Sequence, residues 1–297
     1  MEKFGLLCDY SDLEGVFSQK PDFEPVYSDV DSIVIISDIH GRFNFYIDIL
    51  SAHGIIDEDL NWKFGNGRLV VLGDVFDRGD MVTDVLWHLF GLERQAEKAG
   101  GRVHLLLGNH EILLFAGVHS YNHPKYATVE DLSFTDYSGL YSELSVIGAW
   151  LRTKPVIMNI NDILFVHGGI SIETVRRDLN IESINRKFHN MVMGLEVSTE
   201  AELEERKFLN NELGPVWYRG YFNDAQYCEI KMDSIMGHFA VNHIVVGHTQ
   251  CEEIASLFGD RVLGIDTSVE DEHPGEILLY KNGVFYRCLY SGERIKI

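Results

Sequence analysis

The sequence predicts an α/β fold. Three observations carry that expectation. Short β-branched apolar runs recur along the chain, segments with helical apolar spacing lie between them, and five of the runs stop at a polar residue. Continuous apolar runs of this length are what central strands covered on both faces look like. Polar side chains at the carboxyl ends of such strands are where α/β folds place ligand sites.

The elements follow in order. SIVIISDIHG (32–41) is a strand that stops at Asp38, and RLVVLGDVFDRGD (68–80) does the same at Asp74. RVHLLLGNHE (102–111) stops at Asn109, DILFVHGG (162–169) at His167 and HIVVGHT (243–249) at His248. Helical spacing runs over 43–52, 81–99 and 141–152, the last ending before Lys154-Pro155. Residues 199–211 read as an exposed charged helix. GEILLYKNGVFYRCLY (275–290) is two alternating segments joined by Asn282-Gly283, a strong hairpin signal. Two stretches fall outside this rhythm. Residues 1–30 form an acidic, aromatic-bearing arm, and 117–138 are rich in Tyr, His and Asp without a period. A long insertion beside such strands is expected to serve substrate recognition. With no repeat or linker, residues 1–297 are expected to form one catalytic domain.

Charge narrows the partners. Asp and Glu total 46 against 25 Lys and Arg, a formal −21. Such a surface repels nucleic-acid backbones, whose binding needs Lys and Arg to displace counterions, and it disfavours anionic membranes. A phosphate-bearing substrate would need a local cationic site, built from bound metal ions or a few Arg. Cys8, Cys228, Cys251 and Cys288 are scattered and form no CxxC pair, so a reducing cytoplasm is the expected setting. No stretch reads as a signal peptide or a membrane span.

The strand-end residues suit a dinuclear metal site. Two divalent ions held about 3.5–4 Å apart need hard oxygen donors, imidazoles and one shared carboxylate. Asp38 and His40, two residues apart, project to one side. Asp74 arrives from a neighbouring strand and is the natural bridge, and Asn109, His167 and His248 complete the second ion. Taken singly, each piece has a plainer explanation: Asp-Ile-His could cap a helix, and Gly-His-Thr could hold a half-buried histidine. Five such motifs in order, each following an apolar run, make coincidence a poor account. Donors without thiolate suit Mn, Fe or Zn, and Mn2+ is the expected ion.

DIHG, GDVFDRG, GNHE, HGG and GHT resemble the signature blocks of the calcineurin-like metallophosphoesterases, and GDxxDRG with GNHE resembles their phosphoprotein phosphatase branch. GPVWYRGY (214–221) is similar to the bacterial-type, Shewanella-like phosphatases. The resemblance spans Asp38 to Thr249. It implies a β-sandwich of mixed sheets flanked by helices. It further implies one ion on Asp38, His40 and Asp74, and another on Asp74, Asn109, His167 and His248. By the same resemblance Arg78 and Arg219 clamp phosphate with Asn109 nearby, His110 is the general acid and Asp77 orients it.

The chemistry agrees with that assignment. Arg makes bidentate bonds to phosphate oxygens, a water between two divalent cations is deprotonated near neutral pH, and a carboxylate-oriented His can protonate the leaving oxygen. The expected activity is a metal-dependent phosphomonoesterase acting on phosphoprotein or phosphopeptide, at Ser/Thr or Tyr. The alternative is a bis(5'-nucleosyl)-tetraphosphatase-like hydrolase of dinucleoside polyphosphates. In that case Tyr121, Tyr126, Tyr137, Tyr141 and Trp217 would stack the base. One motif misleads. Cys288 to Arg294 satisfies the C-x5-R spacing of cysteine-dependent phosphatases, yet that chemistry needs a helix after the loop, and only three residues remain.

Overall fold

Each apolar run becomes a short strand whose alternate residues face opposite ways, and both faces are buried. Ile33 and Ile35 join one hydrophobic cluster with Val70 and Leu72, while Val34 and Ile36 join another with Leu69 and Val71. That two-sided burial is why the runs carry no polar alternation. The computed structural model describes residues 13, 15–224, 227–267 and 275–297. Residues 1–12 and 14 of the expected N-terminal arm lie outside them.

Among the described residues, twelve strands form two six-stranded sheets. The first sheet runs in the order β12 (Arg294–Lys296), β11 (Val284–Leu289), β10 (Glu276–Lys281), β2 (Ser32–Ile36), β3 (Arg68–Val71), β4 (Arg102–Leu105). The second runs β1 (Val26–Tyr27), β5 (Ile157–Ile160), β6 (Ile163–Val166), β7 (His243–Val246), β9 (Val262–Gly264), β8 (Ala255–Leu257). β2, β3 and β4 are parallel, as are β6, β7 and β9, and the outer strands are mixed. One apolar cluster takes residues from the inner faces of both sheets, including Ile33, Val70, Leu106, Phe165, Val245 and Leu263. Helices cover the outer faces, so the expected sandwich of mixed sheets between helices is what forms.

Helices Phe43–Ala52, Val82–Lys98 and Glu200–Leu209 lie where the sequence places them. The last opens with a capping box between Thr199 and Glu202. The hairpin turns at Asn282 and Gly283, φ 49° and 82°, as a two-residue turn with both central residues left-handed requires. The expected 141–152 helix shortens to Val146–Leu151, because Ser145 caps it by accepting from the Gly148 N–H. The expected aperiodic stretch 117–138 holds the helix Lys125–Ser133 and the start of Tyr137–Leu140. Tyr126 and Tyr137 anchor it in the core, and most of its remaining residues are exposed, so no apolar period marks it.

Candidate dinuclear metal centre

The parallel strands of both sheets end at one rim, and their terminal loops are tied to each other. Asp38 N–H donates to Gly73 O at 3.2 Å, His40 N–H to Asp74 O at 2.9 Å and Gly247 N–H to His167 O at 2.8 Å. The loops are close because glycines remove side chains there. A Cβ on Gly73 would stand 2.2 Å from Gly108 N, and one on Gly247 would stand 2.0 Å from Ser37 Oγ. Asp38, His40, Asp74, Asp77, Arg78 and His248 all have φ between 47° and 70°. L-residues take that left-handed conformation at a cost, and it gathers at functional sites.

All ten residues singled out by sequence converge at this rim. A cavity of about 110 Å³ is lined by Asp38, Asp74, Arg78, Asn109, His110, Arg219 and His248. His40, His167 and Asp77 stand directly behind them, in contact with Asp74 or His110. The six expected metal ligands are buried, whereas Arg78 and Arg219 are exposed at the mouth.

Asp74 is the hub. Its Oδ2 lies 3.2 Å from His167 Nε2, 3.9 Å from His40 Nε2 and 3.8 Å from His110 Nε2. Two clusters of donor atoms capable of holding an ion share it: Asp74 with His40 and His110, and Asp74 with His167 and His248. His167 Nε2 also lies 2.8 Å from Asn109 Oδ1. Main-chain carbonyls orient the imidazoles. His40 Nδ1 donates to Phe76 O at 2.7 Å and His167 Nδ1 to Leu72 O at 2.8 Å, so each Nε2 is turned toward Asp74. His248 donates through Nε2 to Trp217 O at 3.2 Å, which leaves Nδ1 as its unprotonated nitrogen. Asp38 Oδ2 accepts from Ser37 Oγ at 2.5 Å and from His248 N–H at 3.0 Å.

The electrostatics show a pocket that draws in positive charge. Burial, with Asp266 and Asp74 close by, pushes the Asp38 carboxyl well up. Burial opposes a proton on His167, yet Asp74 and Asp38 outweigh it and raise the imidazole to about 10. Burial alone would raise Asp74, but His167, His110 and His40 hold it below the usual carboxylate range. Burial keeps His40 neutral, down to about 4, and His248 down to about 2. Neutral imidazoles beside carboxylates that demand a counter-charge fit divalent ions, and binding would displace the protons that otherwise serve. The donors are carboxylate, amide and imidazole without thiolate, which suits Mn, Fe or Zn.

A second pair stands beside the first. His110 Nδ1 lies 2.5 Å from Asp77 Oδ2. Burial disfavours its protonation, but the bond to Asp77 and the charge of Asp74 outweigh that and raise its pKa. Arg219 Nη1 donates to His248 O, and Arg219 Nη2 lies 3.3 Å from His248 Nδ1. Tyr121, from the 117–138 segment, accepts Arg78 N–H through its carbonyl at 2.9 Å and sets its ring 5.4 Å from that of His110.

Two residues escaped the sequence reading. Glu111 is fully buried and accepts N–H groups of Gly108, Asp74, Val75 and Phe76 at 2.7, 2.9, 2.8 and 3.3 Å. It clamps the loop after β3 to the loop after β4. Its signal was its place as the third residue of the helix Asn109–Phe115, where a Glu reaches back to cap. Asp266 lines the cavity and follows β9, a further apolar strand ending in a carboxylate.

The decoy motif is structural. Cys288 is buried in β11 and pairs across the ladder with Arg294 in β12, and burial pushes its thiol up to about 11. Among the described residues no helix is long and apolar enough to cross a membrane.

Residues 32–252 match the family model described as calcineurin-like phosphoesterase. Over 279 residues the chain is 32% identical to the uncharacterized protein C1840.07c of Schizosaccharomyces pombe, covering 89% of this chain and 82% of that one. It is 30% identical to Shewanella-like protein phosphatase 1 of Plasmodium berghei, over 80% of this chain and 67% of the relative. The crystal structure of a cold-active protein-tyrosine phosphatase from a psychrophilic Shewanella species superposes with a TM-score of 0.87 at 40% identity, covering 94% of this chain and 83% of that one.

Proposed function

Because the chain belongs to the calcineurin-like phosphoesterases, in their Shewanella-like branch, and is a metal-dependent phosphoester hydrolase, we propose its substrate: phosphoprotein or phosphopeptide, cleaved as a phosphomonoester. Phosphotyrosine is the favoured residue, in keeping with the Shewanella enzyme. The observation that carries this reading is one buried carboxylate, Asp74, shared by two donor clusters under two exposed arginines and beside a His–Asp pair. The whole chain acts as one catalytic unit, in a reducing cytoplasm in which Cys228, Cys251 and Cys288 stay unpaired.

Asp38, His40 and Asp74 would hold one ion, and Asp74, Asn109, His167 and His248 the other; Mn2+ is the ion of choice. When bound, the pair supplies Lewis acidity to the phosphoryl oxygens and lowers the pKa of the attacking water. The chain's own residues do the rest. Arg78 and Arg219 accept the phosphate at the mouth by charge-assisted hydrogen bonds, with the Asn109 amide beneath them. Arg219 is already aimed, since the His248 carbonyl fixes its guanidinium. His110 carries the proton for the leaving oxygen at Nε2, while Asp77 holds Nδ1 and favours the imidazolium. Glu111 keeps the two loops in register while charge develops between them.

The aromatic residues weigh against a nucleotide substrate. Tyr126, Tyr137 and Tyr141 are buried against Phe76 and one another, so they cannot stack a base. Only Tyr121 and Trp217 of that group reach solvent near the rim. The test is a panel of phospho-Ser, phospho-Thr and phospho-Tyr peptides and Ap4A, assayed in Mn2+. We expect kcat/KM on the phosphotyrosine peptide to exceed that on Ap4A by at least about a hundredfold, a gap of about 3 kcal/mol. Preference for Ap4A would reject the proposal.

A further inference from the structure

Arg68 opens β3 and Arg102 opens β4, and the ladder register sets them side by side. Paired positions on neighbouring strands point to the same face, and like charges placed so destabilise a sheet. The chain has 46 acidic residues with which to relieve them. Yet among the described residues neither guanidinium has an ion-pair or hydrogen-bond partner, and Arg68 Nε and Nη1 are buried without one.

The same face carries His104, whose Nε2 is also buried without a partner. Tyr27 of β1, at the edge of the other sheet, closes the slot. Its ring stands 5.1 Å from that of His104, and Arg68 Cζ lies 6.0 Å from its centre. Burial, with Arg68, Arg102 and Lys154 around it, drives the imidazole down to about 3, so His104 is neutral and keeps one N–H to give. A cavity of about 190 Å³ opens here between the sheet edges, lined by Tyr27, Arg102 and His104 with Lys20 and Lys154, while Arg68 borders it through the Tyr27 ring and its neighbour Arg102.

The carboxylates at this slot are mostly engaged elsewhere. Glu93 takes Lys154 at 2.6 Å and the Trp150 indole at 2.9 Å. Asp22 accepts the Glu24 N–H at 3.0 Å and the Tyr27 hydroxyl at 3.5 Å. Glu97 lies exposed at the mouth. What remains is a pair of unpaired arginines and a buried, unpartnered imidazole nitrogen, in a protein of opposite net charge. It lies at the amino ends of β3 and β4, away from the metal rim at their carboxyl ends.

We propose that this slot is a second anion site, taking a small tetrahedral oxyanion of the phosphate class. Its oxygens accept from the Arg68 and Arg102 guanidiniums and from His104 Nε2–H. A planar fork on each of two adjacent strands suits bidentate contact with such a group, and the bound charge relieves the Arg68–Arg102 repulsion.

The test is equilibrium dialysis of the metal-loaded chain against labelled inorganic phosphate. We expect two phosphates per chain, one at the metal rim and one in the slot. R102Q changes an exposed side chain and should fold. It should weaken the second phosphate by about tenfold or more, the loss expected for a charged hydrogen bond, while turnover of p-nitrophenyl phosphate stays unchanged. As a second readout, phosphate should raise the Tm of wild-type protein in chelator relative to chloride at equal ionic strength, and R102Q should lose that response. Competition by sulfate supports a site for tetrahedral dianions. A single phosphate per wild-type chain, an undiminished second phosphate in R102Q, or stronger competition by a dicarboxylate would each overturn the proposal.

Discussion

At Asp74 the chain buries a carboxylate among three imidazoles, and a neighbouring carboxyl, Asp38, is forced toward its protonated form. A buried cluster with those demands is costly unless cations fill it, which is why the residues read from the strand ends make sense only together. They were legible because each sits on the residue where an apolar run stops. Glu111 was not, since it ends no apolar run and acts through main-chain N–H groups, that of Asp74 among them. Asp266 obeyed the same strand-end rule, but β9 is only three residues long and its run is weak. The residue whose role is most open to test is His110. His110→Asn keeps a polar side chain but removes the proton that Asp77 favours. We expect kcat on phosphotyrosine peptide to fall by about 10²–10⁴-fold, with a much smaller loss on p-nitrophenyl phosphate, whose leaving group needs no proton. Equal losses on both substrates would assign His110 to metal binding, a role its 3.8 Å approach to Asp74 also permits.

Among the elements, β2, β3, β4, β6 and β7 were readable from their apolar runs, and three of the longer helices from their apolar period. Helix Ile181–Val192 was missed although Ile181, Ile184, Phe188 and Val192 fall on one face. A buried Asn185 interrupts that stripe, and its polarity masks the period. The structure gives the reason for it. Asn185 Oδ1 accepts Val156 and Ile157 N–H at 2.9 and 3.2 Å, and Nδ2 donates to Ile157 O at 2.9 Å and to Phe23 O at 3.1 Å. One amide thus docks the helix onto β5, beside its junction with the arm. Strand β5 was missed for a related reason. It turns into β6 at Asn161 and Asp162, φ 54° and 60°, so two strands share one apolar stretch with a tight turn inside it. Asn185→Ala leaves several main-chain groups unpaired, and we expect it to cost about 3 kcal/mol. Thermal unfolding should show a Tm lowered by several degrees with KM unchanged. An unaltered Tm would show that water replaces the amide at no cost.

Across the whole molecule, a formal charge of −21 meets a reaction on anionic substrates. The fold resolves this by collecting its useful cations at a few places. Arg78 and Arg219 stand at the metal rim, and Arg68 and Arg102 at the opposite ends of the same strands. The two-sheet arrangement makes this possible, since parallel strands from both sheets deliver their carboxyl ends to one rim while the inter-sheet core holds them in register. The sandwich itself was not readable from apolar period, which says that strands are covered on both faces but not by what; it entered through the signature blocks. The claim on which everything rests is that Asp74 joins two metal ions into one hydrolytic site. The direct measurement is Mn2+ content per chain, followed together with p-nitrophenyl phosphate turnover as chelated protein is titrated, for wild type and Asp74→Asn. We expect activity to reach its plateau at two ions per wild-type chain, and Asp74→Asn to lose both the full complement and at least about 10²-fold in kcat. Full turnover in chelator, or an Asp74→Asn chain as active as wild type, would contradict it.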